Sequence, residues 1–353
     1  MNCIIIIKLL DCISSFLHGR SQRVKVGNDT SCEVSLISGV PQGSVLGPVL
    51  FLIYVNDIVH NQPAGSISKL YADDLKSYIV ERNFQALNET NPFVDLLKHV
   101  NDWSVKWQLP VAGKKCQWMR FSYKKASSEG DELFKLGQDV LDETTEVTDL
   151  GLLFTNTLNF HKHIVGICGK ARSLIFLLRK RFLSKNAYYL ILAYKSYILP
   201  VLNYCSPVWS PSAVGDILLL EKVQKMFTKR LVGYEDLSYQ ERLCKSGLKS
   251  LELTRLHSDL ILCYKIVHNL IVIDTTTFFE FDSYYGPRSH GLSLRAPKPR
   301  TDLGLNSFSY RTSRIWNNLS SNTVWSPTLS VFKSNLSQED LSHALKLEFD
   351  VFN

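Results

Sequence analysis

The sequence predicts an α+β fold, a small antiparallel sheet backed by helices on one face and followed by a mostly helical region and a carboxy-terminal tail. Short alternating, strand-like segments are confined to the part before Asn159, whereas long runs at helical spacing dominate after it. A pair of adjacent acids, Asp73-Asp74, sits between apolar and aromatic residues in a strand, tight turn, strand pattern. The expected division is residues 1–125 for the sheet and its helices, 126–275 for connecting strands and a helical region, and 276–353 for the tail.

In chain order, Leu9, Leu10, Ile13, Phe16 and Leu17 recur at helical spacing and stop near Gly19. Gln22 to Val26 alternates as a strand, Gly27-Asn28-Asp29 supplies a turn, and Cys32 to Leu36 alternates back. The loop Ser38-Gly39-Val40-Pro41-Gln42-Gly43-Ser44 leads into a helix that Ser44 can cap and whose first turn tolerates Pro48. That helix is expected to turn Val49, Leu50, Leu52, Ile53 and Val55 toward a core and to end near Asn61-Gln62-Pro63. The acidic hairpin follows at 69–80, then an amphipathic helix over 92–108 with Phe93, Leu96, Leu97, Val100, Trp103 and Trp107.

Trp118 to Tyr123 reads as a strand, 127–132 as a polar break, and short strands are expected at 133–136 and 147–154. Residues 160–205 read as two long amphipathic helices with Arg179-Lys180-Arg181 and Lys185 between them. Further helices are expected over 215–232, 238–246 and 253–272, an irregular stretch from Asp282 to Asn306, and a last helical part over 310–346.

At 353 residues the chain can build two or three domains, and 45% hydrophobic with 21% charged residues is a globular composition that excludes wholesale disorder. A net charge of +7 and a pI near 8.9 fit a polyanionic partner without demanding one. None of the eight cysteines forms a Cys-x-x-Cys pair, so they read as reduced thiols of an intracellular protein. His161-x-His163 with Cys168 lacks a fourth ligand, and no zinc site is expected. Lys8 and Asp11 interrupt the apolar start, and no run reaches the length of a membrane span.

Two adjacent carboxylates repel unless a cation neutralises them, and hard oxygen donors presented together suit Mg²⁺. Taken alone, such a pair more often marks a solvated turn. The glycines of the 38–48 loop let backbone approach a ligand closely, or serve a helix-capping turn that Gly43 merely permits. Combined, Ser38 to Pro48 and Tyr71-Ala72-Asp73-Asp74 resemble motifs of reverse transcriptases, more narrowly those of non-LTR (LINE-like, jockey-type) retrotransposons. The resemblance continues through Leu50 to Ile58, Trp103 to Leu109, Lys114-Lys115-Cys116, Asp149 to Phe154, Tyr197 to Tyr204 and Arg311 to Asn317.

The resemblance implies a partial polymerase palm, then a mostly helical thumb and a carboxy-terminal region, in an RNA-directed DNA polymerase working by two-metal nucleotidyl transfer with Mg²⁺. RNA template, DNA primer and dNTP are the implied partners, with no membrane, in a nuclear and/or cytoplasmic ribonucleoprotein. It makes Asp73 the principal metal ligand and Asp74 a secondary one, and sets Gly39, Pro41, Gln42, Gly43 and Tyr71 against nucleotide and template. Lys115, a closer match than Lys114, falls where the family has a lysine near the triphosphate; a solvated lysine pair is the equal alternative. Lys170, Arg172, Arg179, Lys180, Arg181 and Lys185 fall where a thumb grips phosphates, against the alternative of a solvated helix face. Tyr188, Tyr189, Tyr194 and Tyr197 stack on bases or belong to the core.

The family's polymerases need one more aspartate, on a strand before the first helix. Asp11 falls in the helix that comes after that strand and Asp29 in a hairpin turn, so neither matches, and the fingers region has no counterpart. An incomplete two-metal site and a chain inactive alone are therefore expected. The alternative is a catalytically inactive nucleic-acid-binding remnant of such an element.

Overall fold

Two units divide the chain, residues 1–118 with 127–143 and residues 119–126 with 144–353. The computed structural model describes residues 2–80, 91–121, 133–282, 290–295 and 299–350. In both units helices are mixed with two-stranded ladders rather than one continuous sheet.

The first unit begins with helix α1 (Asn2–Leu17) and four two-residue strands, β1 (Ser21–Gln22), β2 (Lys25–Val26), β3 (Asp29–Thr30) and β4 (Val34–Ser35). β1 pairs with β4 and β2 with β3, so the expected hairpin is present but interrupted. Helix α2 (Leu46–Val55) and a 3₁₀ turn (Asn56–Val59) lead to the acidic hairpin, β5 (Ser66–Tyr71) and β6 (Asp74–Ile79). Helix α3 (Pro92–Lys106) starts with proline in its first turn, capped by Asn91, whose side chain accepts from the Phe93 N–H at 3.0 Å. A 3₁₀ turn (Gly113–Lys115), β7 (Gln117–Trp118), β8 (Lys135–Leu136), β9 (Asp139–Val140) and β10 (Asp142–Glu143) complete this unit, with β7 and β10 parallel.

Its core joins Val55, Ile58, Val100, Trp103, Phe134, Leu136 and Leu141. Two polar contacts seat the 3₁₀ turn on α3: Trp103 Nε1 donates to Asp57 Oδ1 at 2.8 Å, and His99 Nε2 lies 3.0 Å from the Ile58 carbonyl. α2 departs from expectation. Val49, Leu52 and Ile53 are 51%, 48% and 68% exposed, and of the five residues expected to face a core only Val55 is buried. The helix is apolar on every side, so periodicity does not select a buried face. The strand expected over Trp118 to Tyr123 is reduced to Gln117–Trp118, with Ser122 and Tyr123 outside the described residues, as is the polar break at 127–132.

The second unit opens with the hairpin β11 (Glu146–Asp149) and β12 (Leu152–Thr155), paired from Glu146↔Thr155 to Asp149↔Leu152. α4 (His161–Arg181) is the first of the two long helices expected. The second is broken into α5 (Ala187–Ala193), a π-turn (Tyr194–Ile198) and α6 (Leu199–Asn203). Pro200 has no N–H to give the Ser196 carbonyl, and the Leu199 N–H reaches back to Tyr194, which accounts for the wide turn. α7 (Ser206–Trp209), α8 (Val214–Thr228), α9 (Tyr239–Ser246) and α10 (Leu251–Val267) follow. The tail adds β13 (Glu280–Phe281) paired with β14 (Leu294–Arg295), then α11 (Asp302–Leu305), α12 (Phe308–Trp316), α13 (Ser321–Val324) and α14 (Leu329–Leu336). Among the described residues no helix is long and apolar enough to cross a membrane.

Charge is buried between these helices. Glu221 accepts from the Tyr239 hydroxyl at 2.7 Å and the Glu252 N–H at 3.0 Å. Arg255, fully buried, lies in the field of Glu221, Glu252 and Asp259. Asp259 accepts a bidentate pair from Arg311, Nε at 2.9 Å and Nη2 at 3.0 Å, which fastens α12 to α10.

Breaking a buried pair by removing one partner typically removes about 3–5 kcal/mol. Asp259→Ala is expected to lower the urea-unfolding free energy of this unit by that order. Burial, aided by the Lys249 ammonium, pushes His257 from 6.5 down to about 4. The unfolded imidazole therefore takes up its proton first as pH falls. The stability contributed by this group is complete above about 6.5 and drains away toward pH 4, and His257→Gln should flatten that stretch of the stability–pH curve.

Candidate active site

The β5–β6 ladder runs from Ser66↔Ile79 to Tyr71↔Asp74, which leaves Ala72 and Asp73 as a two-residue tip. Alternation sends Ser68, Leu70, Leu75 and Ser77 to the half-buried face, where Leu70 and Leu75 pack on the core and the Ser68 and Ser77 hydroxyls bond at 2.5 Å. Tyr71 and Asp74 oppose each other on the exposed face. Ala72 holds φ at +53°, a left-handed conformation that L-residues adopt at a cost and that here closes the turn. Asp73 and Asp74 are both exposed, and neither carboxylate makes a hydrogen bond or ion pair among the described residues.

The 38–48 loop is built by its own turn chemistry. The Ser44 N–H bonds the Pro41 carbonyl at 3.4 Å around Gln42 and Gly43, and Gly43 supplies the φ of +80° that such a turn needs. Ser44 Oγ donates to the same carbonyl at 2.6 Å and accepts from the Gly47 N–H at 3.0 Å, so it satisfies an N–H of the first turn of α2 from one residue before the N-cap position, Val45. A Cβ at Gly47 would meet Pro41 O and Ser44 Oγ at 2.8 Å, which makes this glycine the tightest of the loop. Gln42 stands exposed at the corner.

Lys114 and Lys115 lie exposed in the 3₁₀ turn, which is pinned by the close fit of Gly113 against the Asp139 carboxylate. Burial, with the Asp139 charge, pushes the neighbouring Cys116 thiol up and keeps it protonated. The loop's helix α2, the hairpin and the lysine turn are all anchored in one core, through Val55, through Leu70 and Leu75, and through Cys116 and Trp118 respectively. No hydrogen bond or ion pair among the described residues joins Gln42, Asp73, Asp74 or Lys115 to one another. Asp57 is the polar residue whose part the sequence did not disclose: it anchors Trp103 rather than joining the acidic tip.

Hard oxygens at the tip suit Mg²⁺. A two-ion arrangement needs further carboxylates, and among the described residues no group of three or more His, Cys, Asp or Glu side chains comes together. Within the described residues the donor set therefore fits part of such a site.

In the second unit Lys170, Arg172, Arg179, Lys180, Arg181 and Lys185 are all exposed. Arg179, Lys180 and Arg181 occupy the last turn of α4 rather than a separate linker, where cations also complement the helix dipole. Tyr194 belongs to the core: it is fully buried, stacks on Phe227 at 4.3 Å and donates to Gln224 at 2.9 Å. Tyr188, Tyr189 and Tyr197 are exposed. His161 pairs with Asp216 at 2.6 Å, while His163 accepts from the Leu153 N–H at 3.3 Å, so the two histidines serve separate contacts.

Residues 4–154 match the family model described as reverse transcriptase (RNA-dependent DNA polymerase). The chain is 24% identical over 235 residues to the RNA-directed DNA polymerase from mobile element jockey of Drosophila funebris, a match covering 64% of this chain and 25% of that protein. It is 23% identical over 230 residues to the probable RNA-directed DNA polymerase from transposon X-element of Drosophila melanogaster, covering 63% and 25%. An uncharacterized protein of Caenorhabditis elegans is 29% identical over 129 residues, covering 36% of this chain and 63% of its own length. The chain thus spans about a quarter of the length of the first relatives it matches. No solved structure matches it.

Backbone strain at the tip and in the loop has opposite remedies. Ala72→Gly is expected to raise the unfolding free energy of the first unit by about 1 kcal/mol, and Gly43→Ala to lower it by about as much. Differential scanning calorimetry of the two variants checks both signs.

Proposed function

We propose, on the premise that this chain belongs to the reverse transcriptases of jockey-type non-LTR retrotransposons, that residues 1–125 are part of a polymerase palm, 126–275 a thumb-like region and 276–353 a tail. The observation that supports this reading best is the hairpin with Asp73 at its two-residue tip and Asp74 beside it, unpaired with any cation of the described chain. In this reading Asp73 and Asp74 hold Mg²⁺, which when bound would activate a primer 3′-hydroxyl and steady leaving pyrophosphate. Tyr71, Gly39, Pro41, Gln42 and Gly43 line the approach of template and incoming dNTP. Lys115 presents its ammonium to the triphosphate. Lys170, Arg172, Arg179, Lys180, Arg181 and Lys185 grip the phosphates of an RNA–DNA duplex with little sequence selectivity. The complete polymerase would act as a ribonucleoprotein in the nucleus, the cytoplasm or both.

A second reading, a nucleic-acid-binding remnant without catalysis, is favoured for this chain on its own by the partial donor set at the tip. Both readings share the grip on nucleic acid and differ in chemistry. Purified chain 1–353 is expected to give no primer extension on an RNA template with Mg²⁺ and dNTPs, and to bind RNA–DNA hybrid with an affinity that falls steeply with salt. Robust extension abolished by Asp73→Ala would overturn the second reading, and no hybrid binding at low salt would sink both.

A further inference from the structure

Between Leu150 and Gly215 the chain carries eight lysines and arginines and no aspartate or glutamate. Within that stretch the end of α4 and the π-turn enclose a groove of about 230 Å³ walled by Leu174, Leu177, Leu178, Phe182, Tyr197 and Ile198, with Arg181 as its charged wall. Arg179, Lys180, Arg181 and Lys185 make no ion pair among the described residues. The π-turn sets the geometry. In an unbroken α-helix Tyr197 would share the inward face of Leu190 and Tyr194, at spacings of seven and three. The wider turn keeps Ile198 buried and rotates Tyr197 outward, where it is 67% exposed. Tyr188 and Tyr189 also stand exposed at the start of α5, their rings 5.4 Å apart.

We infer that this groove receives an unpaired base of a single-stranded nucleic acid, with Tyr197 as the stacking face and Arg181 taking the adjoining phosphate. The inference rests on the reading that the second unit binds nucleic acid, and it assigns the groove a strand other than the gripped duplex. An intact duplex offers phosphates and keeps its base faces stacked inside, so gripping it would leave the apolar groove uncovered. Single strands offer both chemistries at once, an aromatic face for apolar walls and a phosphate for each cation. A second copy of the chain joined through this same stretch is the poorer occupant, because it would set its cations against the like charges here.

The test uses the full chain, a fluorescein-labelled oligouridine of about 20 nucleotides and a blunt RNA–DNA hybrid of equal length, followed by fluorescence anisotropy over a salt series. Tyr197→Ala is expected to weaken oligouridine binding about tenfold and leave hybrid affinity and its salt slope unchanged, and Tyr197→Phe to restore it. Equal losses for both ligands, no loss for either, or failure of Tyr197→Phe to restore binding would overturn the inference. So would a dimer in sedimentation that Tyr197→Ala disperses, since the groove would then be covered by a second copy. If hybrid binds and oligouridine does not, the groove assignment fails while the nucleic-acid reading stands; if neither binds, that reading fails as well.

Discussion

Burial of one face of a two-stranded hairpin against helix α3 and its neighbours is the constraint on which the acidic tip depends. A lone hairpin is marginal in water and gains its stability from an apolar partner. Here Leu70 and Leu75 supply the inward face, the cluster around Val100 and Trp103 receives it, and the Trp103–Asp57 bond locks the 3₁₀ turn after α2 to the same helix. A one-residue slip would send both leucines to solvent, so burial of the inward face sets register and register places Asp73 at the turn. What the core supports it does not cover, and the carboxylates remain in solvent.

The elements with strong local chemistry were legible in the sequence. The hairpin of 69–80 appears with its acids at the tip, Ser44 bonds the first turn of α2, and the helices after Asn159 lie close to their expected places. Features decided by tertiary environment were not legible. α2 is apolar all round, so nothing local tells which side will be left exposed. Tyr194 and Tyr197 have the same residue type and nearly the same spacing. A proline six residues past Tyr194 opens the helix and puts one in the core and the other in solvent. At the tip, the sequence showed that two acids would sit side by side on a turn between strands, as they do. Nothing in it could tell whether acids distant in the chain, such as Asp11 or Asp29, come together with them.

In the second unit one group of charges is buried between helices and another is exposed. Glu221 and Asp259 are buried with Tyr239, Arg255 and Arg311, where they organise helix packing. The cations of α4 and the connection after it remain on the surface without acids nearby in sequence. Those outward cations give this stretch of surface a basic character although the whole chain is only mildly basic. The tail shares in this arrangement, since Arg311 of α12 supplies the counter-charge for Asp259 of α10.

In the proposed function the hairpin tip binds a metal through its two exposed carboxylates, Asp73 and Asp74. Mn²⁺ titrated into the full chain in place of Mg²⁺, followed by paramagnetic broadening of backbone amide signals, tests this directly. A single weak site is expected, with broadening centred on Tyr71 to Asp74 and lost in the Asp73→Asn, Asp74→Asn double variant. Tight binding of two ions, or broadening centred away from the hairpin, would contradict it.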